Sequence, residues 1–390
     1  MQLLVPDLLV PRSVAHEVLD DLPLPALQAL LAQARPLARE SAAEVAAAGG
    51  PVQFSRPASR WLARRLGLRR PAGDEVIDQA ALRAAQAAAA RMLSSRKGTT
   101  RGPAVPNPLP EAALRLLALG VDPGEKSWWC VEPCSFTAAT DHVVLATLRP
   151  GLGADEAAAL AEAIAPSLDP LGAQLLRPTP DEWFLHWPAL DSLRTAEPLR
   201  ALGRNIDLWG ARGPGGEYDA VARHWRRLQN EIQMSWFEHP VCAAREARGA
   251  ATVNGLWVHG GGSLALAGAA APSPVAAIAA RADQLSLRAL ARLHRAAEPA
   301  REPGTDALIL LDELEVPAAR EDWAGWRAAI AALERDWFAP LLASGRRFEL
   351  IACSEHDWRE LRAGAVAGWK FWQRRKLIDS LAVDPVAEEA

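Results

Sequence analysis

NEIQMSWFEHPVCAAREARGAATVNGLWVHGGG, Asn230 to Gly262, is the most specifically ordered stretch of this chain. It opens as the end of an amphipathic helix, because Val221, Trp225, Leu228, Ile232 and Trp236 recur at three- and four-residue steps along one face. The helix is expected to stop at Pro240 and to give way to a polar turn through Arg245 and Gly249. The apolar run Val253 to Val258 then reads as a strand, closed by a glycine loop of Gly260, Gly261 and Gly262. Backbone N–H groups in such a loop can approach an anion closely, although the lysine and hydroxyl of a P-loop are missing. Glycine's conformational freedom also makes the three residues a plain tight turn.

The chain has 390 residues, half of them hydrophobic, enough to bury a sizeable core in two domains or in one domain with a large insertion. A net charge of -4 and a pI near 6.1 argue against a protein whose main task is to coat nucleic acid. The N-terminal MQLLVPDLLV has no basic flank and contains Asp7, so it reads as a buried strand and not as a signal peptide. No uninterrupted apolar run reaches membrane-spanning length, so a cytoplasmic location with no membrane partner is expected, and the acidic balance argues against nucleic acid as a partner while leaving room for a local basic patch. Cys130 and Cys134 stand four apart, a separation that can serve a metal, yet no second Cys or His pair follows at zinc-finger spacing. With Cys242 and Cys353 they read as buried thiols. Fifteen tryptophans against one tyrosine imply a Trp-anchored core, or rings that line a cleft.

In chain order, Gln2 to Leu9 is a first strand with Asp7 near its carboxyl end, where ligands collect in open α/β sheets; Asp7 also suits a turn. A helix is expected from Pro23 to Ala38, continued by Ser41 to Ala48 and broken at Gly49-Gly50-Pro51. Ser55 and Ser59 precede or open the next helix, Trp61 to Leu68, where a serine acts as an N-cap or as a nucleophile or ligand at a helix N-terminus. An Ala-rich helix (Gln79 to Leu93), a polar loop (Ser94 to Pro108) and a helix from Pro110 to Leu119 follow. Trp129 to Phe136, His142 to Leu148, Ala154 to Leu168, Gln174 to Arg177 and Glu182 to Trp187 read as β-β-α-β-β, a compact α+β unit. Beyond the glycines, helices at Pro274 to Ala280, Leu285 to Ala297 and Trp323 to Leu342 alternate with strands at Asp306 to Leu311 and Phe348 to Cys353. The strands run into Asp312-Glu313 and Ser354-Glu355-His356-Asp357, a doubly wound pattern with carboxylates at strand ends. The tail from Trp369 to Lys376 mixes aromatic and basic residues that suit packing back onto the chain better than stacking on bases.

The order His239-Pro240-Val241, Arg245, Gly249, Asn254, Trp257 and Gly260 to Gly262 resembles the archaeal-type cofactor-independent phosphoglycerate mutases of the alkaline phosphatase superfamily. It is similar too to a bacterial branch of such relatives, the RpfE-type regulatory proteins; Cys242 stands where the family has Asn. The resemblance implies an α/β fold, an alkaline phosphatase-like doubly wound core with an inserted α+β domain. The expected parts are residues 1–124 and 251–390 as the two halves of the core and 125–250 as the insert.

The family's chemistry, by that resemblance, needs two divalent ions, Mn²⁺ or similar, to hold a serine alkoxide and to stabilise charge on a transferring phosphoryl group. Asp7, Glu355 and His356 fall where one ion is held, with Glu355 in place of Asp and Leu8 in place of Gly; Ser55 or Ser59 corresponds to the nucleophile. The second ion calls for an Asp, a His four residues later and another His near the C-terminus. Here Asp312, Glu313 and Glu315 have no histidine at that spacing, and none follows His356. Losing two imidazoles removes geometry and affinity, so ordinary mutase activity is expected to be absent or weak. The expected cofactor is one divalent metal or none.

Two functions follow from this reading. One is a mutase-like protein with a degenerate centre that binds a small anionic ligand or a protein partner in a regulatory or accessory role. The other is a metal-dependent phosphotransferase or phosphatase that uses the single site at Asp7, Glu355 and His356. His239, Arg245, Asn254 and Gly260 to Gly262 are the candidate ligand-binding residues, with Arg245 as the bidentate donor to an anion. The same residues also suit structural tasks, His239 as a helix cap and Arg245 as the partner of a neighbouring carboxylate.

Overall fold

The computed structural model describes residues 1–41, 54–65, 109–213, 217–264, 277–279, 284–293, 307–364 and 376–384. The helices expected at Ser41 to Ala48 and Gln79 to Leu93, the loop to Pro108 and the tail from Trp369 to Arg375 lie outside those residues, apart from Ser41 itself. The chain starts with β1 (Gln2–Val5), β2 (Val10–Pro11), α1 (Arg12–Leu19), α2 (Pro25–Ala32), β3 (Arg35–Glu40), α3 (Pro57–Arg65) and α4 (Glu111–Ala118). Next come β4 (Trp128–Ala138), β5 (Val143–Leu148), α5 (Ala154–Leu168), β6 (Gln174–Leu176), β7 (Phe184–His186), α6 (Ala220–Phe237), α7 (Pro240–Ala247) and β8 (Gly255–Gly262). The last part holds β9 (Ala277–Ala279), α8 (Leu285–Leu293), β10 (Ala307–Leu310), α9 (Trp323–Leu333), β11 (Phe348–Cys353), β12 (Trp358–Ala363) and β13 (Ala382–Val383).

Two compact units form, both mixtures of helix and sheet, so the fold is α/β in the broad sense. One contains Met1–Val52, Arg56–Leu62 and Ser273–Ala390. Its sheet has the order β3-β12-β11-β1-β10-β9. β9, β10, β1 and β11 are parallel, while β12 runs antiparallel to β11 and β3 antiparallel to β12. Leu3, Leu4 and Val5 of β1 are wholly buried between β10 and β11, as the unbroken apolar run of a central parallel strand requires. Below the sheet Leu27, Leu30, Trp326, Ile330 and Phe338 join Leu3, Ile309 and Leu350 in one core. At the start of α2, Glu334 of a π-type turn accepts the Ala26 N–H at 2.6 Å and the Leu27 N–H at 3.0 Å, two donors that have no partner inside the helix.

Several expectations for this unit change. The strand expected to run from Gln2 to Leu9 ends at Val5, and Asp7 lies in a turn at φ 53°. The helix expected to continue to Ala38 ends at Ala32, and Arg35–Glu40 is a strand. Pro36 explains the switch: it has no N–H for a helix, yet it is tolerated in an edge strand such as β3. Ala277–Ala279, expected in a helix, pairs with β10 as a strand.

The second unit, Gln53–Ser55 with Ala63–Pro272, is built on the eleven-residue strand β4. The sheet order is β5-β4-β7-β6, and β8 also pairs antiparallel with β4, with Cys134 opposite Gly255 and Cys130 opposite His259. Alternation along β4 gives the sheet two covered faces. Trp129 and Val131 pack with Leu160 and Ile164 of α5 and with Trp225, Leu228 and Trp236 of α6. Trp128 and Cys130 pack with Ala112 and Leu116 of α4. The tryptophans anchor these cores and find acceptors for their N–H groups: Trp236 donates to the Leu160 carbonyl at 2.9 Å, and Trp257 to the Ala196 carbonyl at 2.9 Å.

Within the stretch read first, α6 forms as expected, with Asp219 capping its N-terminus by accepting the Ala222 N–H at 2.8 Å. The expected polar turn after Pro240 is instead helix α7, with proline in its first position and the His239 ring accepting the Val241 N–H at 3.3 Å. The expected glycine loop is instead the end of strand β8. A Cβ on Gly255 would lie 2.3 Å from the Phe136 ring, and one on Gly261 2.2 Å from the Trp129 ring. Glycine is there because bulky rings of the neighbouring strand occupy the space. Residues 255–262, expected in the second half of the core, therefore belong to the β4 sheet.

Candidate functional site

Parallel strands put their carboxyl ends on one edge of the sheet, and in the first unit three acidic segments meet that edge: Asp7 after β1, Asp312 and Glu315 after β10, and Ser354 to Asp357 after β11. The turn at Asp7 is tied down by its own carbonyl, which accepts the Trp326 indole N–H at 2.9 Å, and by Leu9 N–H on the Cys353 carbonyl at 2.9 Å. The Asp7 side chain then meets Arg56, the residue just before α3. One guanidinium nitrogen bonds Asp7 and the other bonds Glu315 at 2.6 Å, and all three side chains are largely buried. Burial pushes the Glu315 carboxyl up to about 7; Arg56 works against that rise, and the carboxylates of Asp7 and Asp312 add to it. Asp312 accepts the Gln284 amide at 2.9 Å. The buried Cys353 thiol is pushed up, chiefly by desolvation and then by Asp7, and stays protonated.

Glu355 and His356 flank this edge. The His356 ring lies 3.8 Å from the Glu355 carboxylate, and the His356 carbonyl accepts Arg60 at 2.7 Å. Ser354 shapes the turn by accepting the N–H groups of His356 at 3.2 Å and Asp357 at 2.9 Å. Arg60 also pairs with Glu40, the last residue of β3, at 2.7 Å. The first turn of α3 closes with the Arg60 N–H on the Arg56 carbonyl at 3.1 Å. Ser55 is buried one residue earlier, and Ser59 lies in the first turn. Among the described residues no group of three or more His, Cys, Asp or Glu side chains is arranged to hold a metal ion. The Asp7, Glu355 and His356 set does not fit one as it stands, because Asp7 faces a guanidinium.

His239, Arg245, Asn254 and the three glycines belong to the other unit, where each has a partner. Arg245 is buried; it pairs with Glu156 at 2.7 Å and donates to the carbonyls of Pro150, Gly151 and Ala251 at 2.6, 3.2 and 2.9 Å. Asn254 clamps Phe136 of β4, accepting its N–H at 2.7 Å and donating to its carbonyl at 2.8 Å. Gly260 sits at φ +60°, and a Cβ there would lie 2.8 Å from the Glu111 side chain. Sequence reasoning passed over Arg56, visible only as an arginine beside Pro57, and Glu132, whose signal is a single acid in the buried run WWCVEPC.

No family model matches the chain, and no curated protein matches it. Among solved structures, the cofactor-independent phosphoglycerate mutase from Thermoplasma acidophilum DSM 1728 is similar at 17% identity with a TM-score of 0.30, covering 70% of this chain and 76% of that one. The PH0037 protein from Pyrococcus horikoshii is similar at 13% identity with a TM-score of 0.38, covering 96% and 90%. Among the described residues no helix is long and apolar enough to cross a membrane.

Proposed function

We propose that this chain is a phosphoglycerate mutase-like protein whose two-metal centre has degenerated and which binds a small anionic ligand or a protein partner in a regulatory or accessory role. The observation that carries this reading is Arg56, lodged between Asp7 and Glu315 at the strand ends where the sequence resemblance calls for a divalent ion. A guanidinium supplies the positive charge that buried carboxylates need, but it offers no open coordination position for a phosphoryl oxygen. The absence of the two second-site histidines agrees with it.

The competing reading, a single-ion phosphotransferase or phosphatase, draws on Asp7, Glu355 and His356 following the paired strands β1 and β11. It requires Arg56 to leave Asp7. Elemental analysis of protein purified without chelator, with a Mn²⁺ titration of thermal unfolding, separates the two. The expected result is no tightly bound ion, no rise in the unfolding temperature and no conversion of 3-phosphoglycerate to 2-phosphoglycerate. A tightly bound ion and phosphate-ester turnover, both lost in Asp7→Ala, would overturn the proposal.

A further inference from the structure

The second unit buries a set of charges that nothing in the mutase-like reading uses. His259 of β8 is fully buried, with Nδ1 3.4 Å from Glu111 of α4 and Nε2 3.1 Å from Glu132 of β4. Neither contact is aligned as a hydrogen bond, so the attraction depends on the ring's charge and not on a directed N–H. Arg115 of α4 reaches Glu111 at 2.6 Å, Glu132 at 2.6 Å and Glu182 at 3.3 Å. Arg149, after β5, adds contacts to Glu132 at 2.7 Å and Glu182 at 3.3 Å.

Despite burial, Arg115 and Arg149 help hold the Glu111 and Glu132 carboxyls below their ordinary range, so both stay ionised. Three carboxylates, Glu111, Glu132 and Glu182, face two guanidiniums, Arg115 and Arg149, and the buried Cys130 thiol beside them is held protonated by desolvation. A neutral His259 leaves one net negative charge in the interior; an imidazolium cancels it. Among the described residues the other elements packed on β8 bring no further charge to the ring: α6 contributes the Gln229 amide to the Leu256 carbonyl at 2.9 Å, and Asp191 is bonded to the Trp129 indole at 3.1 Å.

We infer that His259 is a pH-sensitive clasp, which as imidazolium holds β8 and α4 against β4 and on losing its proton loosens that junction. Burial alone lowers the basicity of the ring, but Glu132 and Glu111 outweigh it and leave the pKa raised. A group with a raised folded pKa contributes stability that is complete below about 6.5, its ordinary value, and is lost as pH rises through the folded value. The clasp is therefore shut below the ring's ordinary range and opens on the alkaline side of it.

Two measurements on the full chain test this. In protein labelled with ¹³C at histidine Cε1, the His259 signal, assigned by its loss in His259→Gln, is expected to titrate with a midpoint above pH ~6.5. Glu111→Gln is expected to move its midpoint to lower pH and serves as the second assignment if His259→Gln does not fold. Amide exchange, corrected for its intrinsic pH dependence, is expected to quicken several-fold at residues 128–134 and 255–262 as the ring deprotonates, and to stay unchanged in β1 and β11. A ring that titrates at or below the ordinary value, or exchange in β4 and β8 that does not respond to its titration, would overturn the inference.

Discussion

Replacing Gly261 with alanine tests whether the three glycines of β8 are there for packing or for a ligand. The added Cβ would sit 2.2 Å from two atoms of the Trp129 ring and 2.4 Å from a third. Carbon atoms rest at about 3.5 Å or more, so the overlap is about 1.3 Å. Unlike Gly260 and Gly262, Gly261 has no positive φ, so the penalty is steric alone. Trp129 has little room to yield: it is buried against α5 and α6, and its indole N–H is held by Asp191 at 3.1 Å. Overpacking of this kind costs about 1–3 kcal/mol, and a pinned ring places Gly261→Ala near ~3 kcal/mol. Urea unfolding followed by tryptophan fluorescence reads the loss. In a Trp129→Leu background the further cost of Gly261→Ala is expected to fall below ~1 kcal/mol, because the clash is gone. A Gly261→Ala protein within ~0.5 kcal/mol of the parent would refute the packing argument and return the glycines to the role of an anion cradle.

Arg245→Met is expected to cost about 3 kcal/mol in the same denaturation assay, since it strips Glu156 and three carbonyls of a buried donor; Glu156 keeps Arg248, which holds the loss to the lower end of the range. Arg245→Lys should recover little of it, because one ammonium cannot reach acceptors spread across the planar fork of a guanidinium. A loss under ~1 kcal/mol for the Met variant would count against a structural role. Acid lability has a predictable sign as well: burial opposes ionisation of Glu156, but Arg248, the Gly153 N–H and Arg245 bring its pKa down to about 2. Stability from this depressed carboxyl is present above its ordinary range and lost as pH falls toward 2, and Glu156→Gln should flatten that part of the thermal-melt pH profile.

Much of the second unit could be read from its residues, because local rules govern it. The alternation along β4 and β5, the uninterrupted helix Ala154–Leu168 and the apolar stripe of α6 are each set by periodicity within one segment. What could not be read depends on partners distant in sequence. Pro240 looks like a stop until His239 is seen capping the helix it starts. Gly260 to Gly262 look like a loop until Trp128 and Trp129 are opposite them. The candidate site followed the same division. Asp7, Glu315, Glu355 and His356 are legible as acids and a histidine after apolar runs, whereas Arg56 meets Asp7 across forty-nine positions, and no spacing rule announces that pairing.

The position of β1 bears on how the chain folds as it leaves the ribosome. Gln2–Val5 is flanked in its sheet by Ala307–Leu310 and Phe348–Cys353, and the carboxylate that caps α2 comes from Glu334. At 5–20 residues per second, roughly 15–60 s separate synthesis of the first strand from that of its first neighbour. During that interval the Leu-Leu-Val segment lacks its neighbouring strands, while the whole of the β4 sheet is made before its end. Slowing translation after residue 272 should prolong that state, and protection of the nascent N-terminal segment by a chaperone is where the effect would register.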